Sequence, residues 1–513
     1  MRVLLFGVDG LTFRILKPLM ERNLLPHFQR LSNEGVEAVL KSTVPPMTPP
    51  AWMSIATGLP PAGHGVYDFW DCEMTPQGPR GRIMTHRKGG KAIWNILSEW
   101  GKRVIVANVP LTYPPEPVNG IMLSGYMAPD MQANVTYPPN FKDELLRAVP
   151  RYQIDLTPAV AGGQVGDILT EVLNITRERI ALFRLLLDKP WDFCFMTFVG
   201  ADRIQHVRWD DIMAFHHQTL QYYQMLDEAL GLALDALSPE DMLVVVSDHG
   251  FQGARRNFYI HEYLHRQGLL KMRSSAMRRR AELFGWAVSL LWTVGLRGVP
   301  SMLRRQLHRL GLLERAKEHH AVTLPNLDWA NTLAWLPSPS GAIAGYADIF
   351  IDDAMPEERL HTLQRALLEL SDPETSQPLA VEVHREDAFG AGPFAPRERH
   401  LILISGENIT PLPELGVRSL WSTRKTSSGV HHPDGVLYLY GAHVKKGVTI
   451  DPAHIYDIVP TILSFMGIPL PDTLSGKIIN EAFQIPLAIS PDAAFESIVG
   501  RKLRKLSPNE QGK

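Results

Sequence analysis

The stretch Leu243-Val244-Val245-Val246-Ser247-Asp248-His249-Gly250 sets an unbroken apolar run directly against a carboxylate and an imidazole. A run without polar alternation is the pattern of a strand buried on both faces, as in a parallel sheet covered by helices. Similar runs at 2–8, 103–108, 193–199, 400–404 and 435–440, with helical stretches between them, predict a doubly wound, mostly parallel α/β sheet flanked by helices. Ligands of such sheets collect beyond the carboxyl ends of strands. Asp9, Asp202, Asp248 and His249 all follow runs of this kind.

At 513 residues the chain can bury a large core, as one domain with insertions or as two or three average domains. Its 52 basic and 54 acidic residues nearly cancel, so charge gives no pull toward nucleic acid, and no specific nucleic-acid binding is expected. Only Cys72 and Cys194 occur, too few for a disulfide framework or a thiolate metal site. Any metal must therefore use Asp, Glu and His. The apolar start of the chain is too short for a secretory signal and runs straight into a strand-then-turn pattern, so a cytoplasmic location is expected.

One segment departs from this balance. Residues 254–320 carry 14 Lys/Arg against 4 Asp/Glu, a net of +10, which leaves about −12 on the rest of the chain. Inside it, 283–296 is an uncharged run with Trp286 and Trp292, preceded by Arg278-Arg279-Arg280 and followed by Arg297. It is shorter than the roughly 20 residues a membrane-spanning helix needs. A helical cap over the active site is the favoured reading; contact with an anionic membrane surface or a large anionic substrate, and so peripheral membrane location, is the second, and a partner interface the third. The expected organisation is a discontinuous catalytic core over 1–253 and 400–500, a basic helical insertion over 254–320, a small α+β excursion over 321–399 and a flexible tail over 501–513.

Chemistry concentrates in three places. Asp202-Arg203-Ile204-Gln205-His206 sets a carboxylate and an imidazole four apart, on one face of a helix. Taken singly, that spacing is most often a surface pair, and Ser-Asp-His-Gly could be an ordinary turn. Asp9, however, follows a buried strand, where a carboxylate is costly unless paired or bound to a cation, so three strand ends deliver acidic or imidazole groups to one rim. A nucleophile is available in Pro45-Pro46-Met47-Thr48-Pro49-Pro50-Ala51-Trp52, with Thr48 held between prolines and a helix expected from Ala51 onward. Its first-turn amides would face a phosphate oxygen. A Pro-rich turn with an N-capping Thr is the local alternative.

Taken together the motifs resemble the alkaline phosphatase superfamily, and within it the type I phosphodiesterase/nucleotide pyrophosphatase branch, most closely bacterial and archaeal proteins described as predicted phosphohydrolases or phosphomutases. The resemblance spans almost the whole chain and keeps the family's order: Gly7-Val8-Asp9-Gly10, the Thr48 loop with Ala56-Thr57-Gly58 and His64-Gly65, Asp202-x-x-x-His206, Ser247-Asp248-His249-Gly250, Gly429-Val430-His431-His432-Pro433-Asp434-Gly435 and Tyr456-Asp457-Ile458-Val459-Pro460-Thr461. It implies two divalent metal ions, one held by Asp9, Thr48, Asp248 and His249, the other by Asp202, His206 and His431. Zinc is what this branch uses, and manganese takes similar ligands. Thr48 would attack phosphorus to give a phospho-threonine that water hydrolyses, which makes the substrate a phosphodiester or phosphomonoester. His432 is implied as a residue behind the metal ligands or facing the phosphate, with a structural role as the alternative, and His64 as a loop-shaping residue. The departure from the pattern is Phe69, which stands where well-studied nucleotide pyrophosphatases carry an Asn that donates to phosphate. A phosphoryl transferase or mutase of the same superfamily, or a non-catalytic phosphate-ligand binding protein that kept the fold, are the competing functions. Thr48 speaks against the mutases, which generally use Ser.

Overall fold

The computed structural model describes residues 1–75, 78–156, 165–272, 327–337 and 344–487. Its centre is a ten-stranded sheet made of β1 (Val3–Val8), β2 (Val36–Lys41), β3 (Val104–Ala107), β4 (Gly120–Leu123), β5 (Thr136–Tyr137), β6 (Phe193–Phe198), β7 (Met242–Val246), β8 (Asp434–Gly441), β9 (Val448–Thr449) and β10 (Ala453–His454). The spatial order is β9-β2-β8-β7-β1-β6-β3-β4-β5, with β10 also paired to β2. From β7 through β1, β6 and β3 to β4 every pairing is parallel.

The unbroken apolar runs are explained by two cores. Leu4, Phe6 and Val8 of β1 and Leu243 and Val245 of β7 pack on one face with helices α2 (Val165–Leu187) and α4 (His217–Asp235). Val3 and Leu5, with Met242, Val244 and Val246, pack on the other with helices α1 (Thr48–Thr57) and α5 (Ile458–Phe465). A strand between two such layers has no polar face to show. The remaining helix that matters for the site, α3 (Gly200–Met213), follows β6 directly.

Two of the expected strands take other roles. The run at 400–404 lies in Arg399–Ser405, in a separate four-stranded sheet with Ala334–Trp335, Tyr346–Ile351 and Ala380–Arg385, where every pairing is antiparallel. The run at 435–440 does join the central sheet, as β8, but antiparallel to both β7 and β2. The small sheet and its helix Glu357–Glu369 bury a third core. Residues 254–259, placed by the sequence in a helical insertion, instead complete the strand Gly250–Tyr259, which pairs with Asn408–Leu412 and Trp421–His432. Phe258 and the following helix Ile260–Arg266 pack into the third core. The uncharged run 283–296 with its flanking arginines, and the tail 501–513, lie outside the described residues. Among the described residues no helix is long and apolar enough to cross a membrane.

A candidate metal centre at the carboxyl edge of the sheet

Parallel register brings the ends of β1, β6 and β7 level, with Gly7 opposite Thr197 and Val246. The residues just beyond therefore meet at one edge: Asp9 after β1, Asp202 in the first turn of α3 after β6, and Asp248 and His249 after β7. Helical spacing sets His206 on the same face as Asp202, whose Oδ2 lies 3.1 Å from His206 Nε2. His431 arrives from the strand Trp421–His432, opposite Phe251. Two glycines permit these close approaches: a Cβ on Gly250 would lie 1.9 Å from the Asp434 carbonyl oxygen, and one on Gly429 would lie 2.3 Å from that of Gln205.

The polar atoms fall into two groups that share His249: Asp9, Asp248 and His249, and Asp202, His249 and His431. His249 Nε2 is 3.5 Å from Asp9 Oδ1, 3.2 Å from Asp248 Oδ2 and 3.3 Å from Thr48 Oγ1. His431 Nε2 is 3.2 Å from Asp202 Oδ2 and 3.1 Å from His206 Nε2. The rings of His249 and His431 stack with centroids 3.6 Å apart. All of these residues are buried except His206, which is half-buried.

Proton placement makes this arrangement unusual. Each histidine turns Nδ1 to a backbone carbonyl, His206 to Gly429 at 2.9 Å, His249 to Gly250 at 3.1 Å and His431 to Pro46 at 2.9 Å. A carbonyl can only accept, so Nδ1 carries the hydrogen in each ring, and a neutral ring then presents a bare lone pair at Nε2. Those lone pairs face one another and face Asp9 Oδ1, Asp202 Oδ2 and Asp248 Oδ2, none of which receives a hydrogen bond. Converging donors of electron density, buried and unpaired, are stable only around cations or added protons. Oxygen and nitrogen ligands with each imidazole oriented through its far nitrogen fit a divalent metal centre.

Without a cation the electrostatics are adverse. Burial, then the charge of Asp202, pushes Asp9 well above the ordinary carboxylate range, and burial, then Asp9, does the same to Asp248. Burial, then His431, holds His249 well below its ordinary value. Burial alone would raise Asp202 too, but an added proton on His206, then His431 and the neighbouring Arg203, outweigh that and hold it low.

Thr48 stands at the first position of α1, three residues before the expected start, with Met47 as its N-cap. Pro49 and Pro50 fill the rest of the first turn and have no N–H, while the Ala51 amide donates to Met47 O at 3.0 Å. The expected row of helix-start amides is therefore absent, and Thr48's own N–H is the single one among residues 48–50. His64 lies apart from the ligand groups, accepting the Val66 amide at Nδ1 and meeting Ser54 Oγ with Nε2 at 3.0 Å, a brace for the loop. His432 joins neither group; its Nδ1 accepts the Asp434 amide at 3.1 Å, closing the turn into β8. Phe69 meets Tyr126 edge to face at 5.5 Å.

Several supporting residues were not visible as such in the sequence. The Gly10 amide donates to Asp248 Oδ1 at 3.0 Å and Trp52 Nε1 reaches Asp9 Oδ2 at 3.4 Å. Arg203 Nη1 donates to Asp202 Oδ1 at 3.0 Å. Gly10 and Arg203 each adjoin a predicted ligand, which is the only local signal they gave.

The sequence matches the family model for type I phosphodiesterase / nucleotide pyrophosphatase over residues 3–298. The chain belongs to that family, within the alkaline phosphatase superfamily. As a member of this family it is a hydrolase acting on phosphoester bonds, in a superfamily that is metal-dependent. No curated protein matches the sequence. Among solved structures, the phosphonoacetate hydrolase of Sinorhizobium meliloti 1021 in complex with phosphonoacetate is similar in fold, at 14% identity over 90% of this chain and 94% of that one, with a TM-score of 0.56. The same enzyme in complex with phosphonoformate gives 14% identity, the same coverage and a TM-score of 0.55. The large mostly parallel sheet flanked by helices is thus the alkaline phosphatase-like fold.

Proposed function

We propose that the chain is a two-metal phosphohydrolase working through a phospho-threonine, with one ion held by Asp9, Thr48, Asp248 and His249 and the other by Asp202, His206 and His431. The observation that carries this reading is the set of three buried carboxylate oxygens without donors, each within 3.1–3.5 Å of an imidazole Nε2. Zinc suits this oxygen and nitrogen set, and manganese is the second choice. Bound ions would favour the ionised Thr48 hydroxyl and offset charge on the phosphoryl oxygens.

The chain's own part is positioning. Thr48 Oγ1 forms the bond to phosphorus as the ester P–O bond breaks, and the hydroxyl proton ends on the leaving alcohol. Water then forms the new P–O bond as the Oγ1–P bond breaks, which restores Thr48. With two prolines in the first turn of α1, the backbone offers little to a phosphate oxygen beyond the Thr48 N–H, so stabilising transition-state charge would rest mainly on cations held by Asp9, Asp202, Asp248 and the histidines. The test is turnover of p-nitrophenyl phosphate and bis-p-nitrophenyl phosphate with Zn²⁺ or Mn²⁺. Metal-dependent turnover of either ester, reduced about 10³-fold or more by Thr48→Ala, is expected. Turnover that survives this substitution would overturn the role of Thr48.

A further inference from the structure

The two ligand groups differ in how their carboxylates are held. Asp9 and Asp248 meet only neutral donors, the Trp52 indole and the Gly10 amide. Asp202 instead has a cation on its back: Arg203 Nη1 binds Oδ1 at 3.0 Å, which leaves only Oδ2 turned toward His206 and His431. That guanidinium is itself shared. Its Nη2 donates to Asp155 Oδ2 at 2.7 Å, its Nε reaches Asp155 Oδ1 at 3.4 Å, and its face covers the Tyr126 ring at 4.3 Å. The side chains of Arg203 and Asp155 are 19% and 14% exposed, so water screens the arrangement only weakly.

An arginine bonded to a ligand carboxylate competes with a metal ion for its negative charge, and a second carboxylate drawing on that arginine weakens the competition. Resting on the two-ion reading above, we propose that Asp155 and Arg203 set the strength of the Asp202/His206/His431 site, so that its ion is held more loosely than the one at Asp9/Asp248/His249 and exchanges on its own. The loose site has one carboxylate shared with a guanidinium; the tight site has two that are unshared. Asp155 and Arg203 are positioning residues, and they act in opposite directions. Removing Asp155 gives Asp202 the full charge of Arg203 and weakens the ion; removing the charge of Arg203 strengthens it.

Calorimetric titration of metal-stripped full-length protein with Mn²⁺ tests this. Two ions of unequal affinity are expected in the wild type. Asp155→Asn lowers the weaker affinity about tenfold and Arg203→Gln, which keeps a donor near Asp202, raises it about tenfold, while the tighter affinity, whose Asp9 feels both charges only without contact, moves less in both. Misfolding would remove both ions together, and a merely structural role would lower the melting temperature without separating the two affinities. Two ions whose affinities neither variant moves, or moves in one direction only, would overturn this inference alone. Fewer than two ions in the wild type would overturn the two-ion reading beneath it.

Discussion

Replacing Asp248 by Asn should change stability in opposite directions with and without metal. Asp248 is fully buried; Oδ1 takes the Gly10 amide at 3.0 Å and Oδ2 takes nothing, though His249 Nε2 lies 3.2 Å away. In the Asp248→Asn variant the retained oxygen can still accept from Gly10, and the new amide can donate to His249 Nε2 beside the Thr48 hydroxyl at 3.3 Å. The metal-free variant thus loses a buried, repelled charge and gains a hydrogen bond, a stabilisation of about 1–3 kcal/mol. With metal the sign reverses, because an ion at about 1,000 times its dissociation constant stabilises the wild type by about 4.1 kcal/mol, more than the metal-free gain, and the variant forfeits most of that. Thermal unfolding in chelator and in excess Mn²⁺ measures both. Since burial and Asp9 raise the Asp248 carboxyl in the fold, its favourable contribution is complete below the ordinary carboxylate range and is lost as pH rises through the raised value. The lead of the variant over the metal-free wild type should therefore widen as pH rises from the ordinary carboxylate range toward the raised value. If the variant were destabilised equally in chelator and in metal, Asp248 would be a structural hydrogen-bond acceptor and not a ligand.

Among the two adjacent histidines, His431→Ala should remove one equivalent of bound metal and His432→Ala none, as read by metal analysis of the purified variants; His432→Ala should change stability by about 1 kcal/mol or less, the worth of its turn-closing bond to Asp434. Asp372→Ala should cost about 3 kcal/mol in urea unfolding, because it strips the paired carboxylate, at 2.5 and 2.6 Å, from Arg256, which is 4% exposed. The figure sits at the low end of the range for broken buried pairs since Glu374 still contacts Arg256 at 2.8 Å. A loss below about 0.5 kcal/mol, the worth of a surface pair, would refute that account.

The central sheet was legible because β1, β6 and β7 are apolar on both faces, and the candidate ligands Asp9, Asp202, Asp248 and His249 because they follow such strands; His206 and His431, in α3 and in the strand Trp421–His432, and Thr48, in α1, were not marked in that way. Arg399–Ser405 looks the same for a different reason. Leu401 and Leu403 fill the third core while Ile402 and Ile404 pack against Met47 and Tyr346, so it too is covered on both sides, yet its partners are antiparallel. Strand direction is a property of the partner and leaves no mark in a short apolar run, which also explains β8. The start of α1 was placed late because prolines read as a boundary, whereas they are tolerated throughout a first turn that has no N–H to bond. Asp155 gave no sign of its role, since its contact to Arg203 spans 48 residues of chain and depends on a fold only the whole sheet defines.

The cluster formed by Met47, Ala344, Tyr346, Phe389, Ile402 and Ile404 joins the residue before Thr48 to the small antiparallel sheet. The packing around Met47 is thus supplied by residues 344–404, a stretch that also reaches His431, since a Cβ on Gly345 would lie 3.2 Å from the His431 carbonyl oxygen. On the proposed roles, changes in the small sheet reach Thr48 through its neighbour Met47 without altering the identity of any candidate metal-binding side chain, so a shared ligand set does not by itself fix a shared substrate.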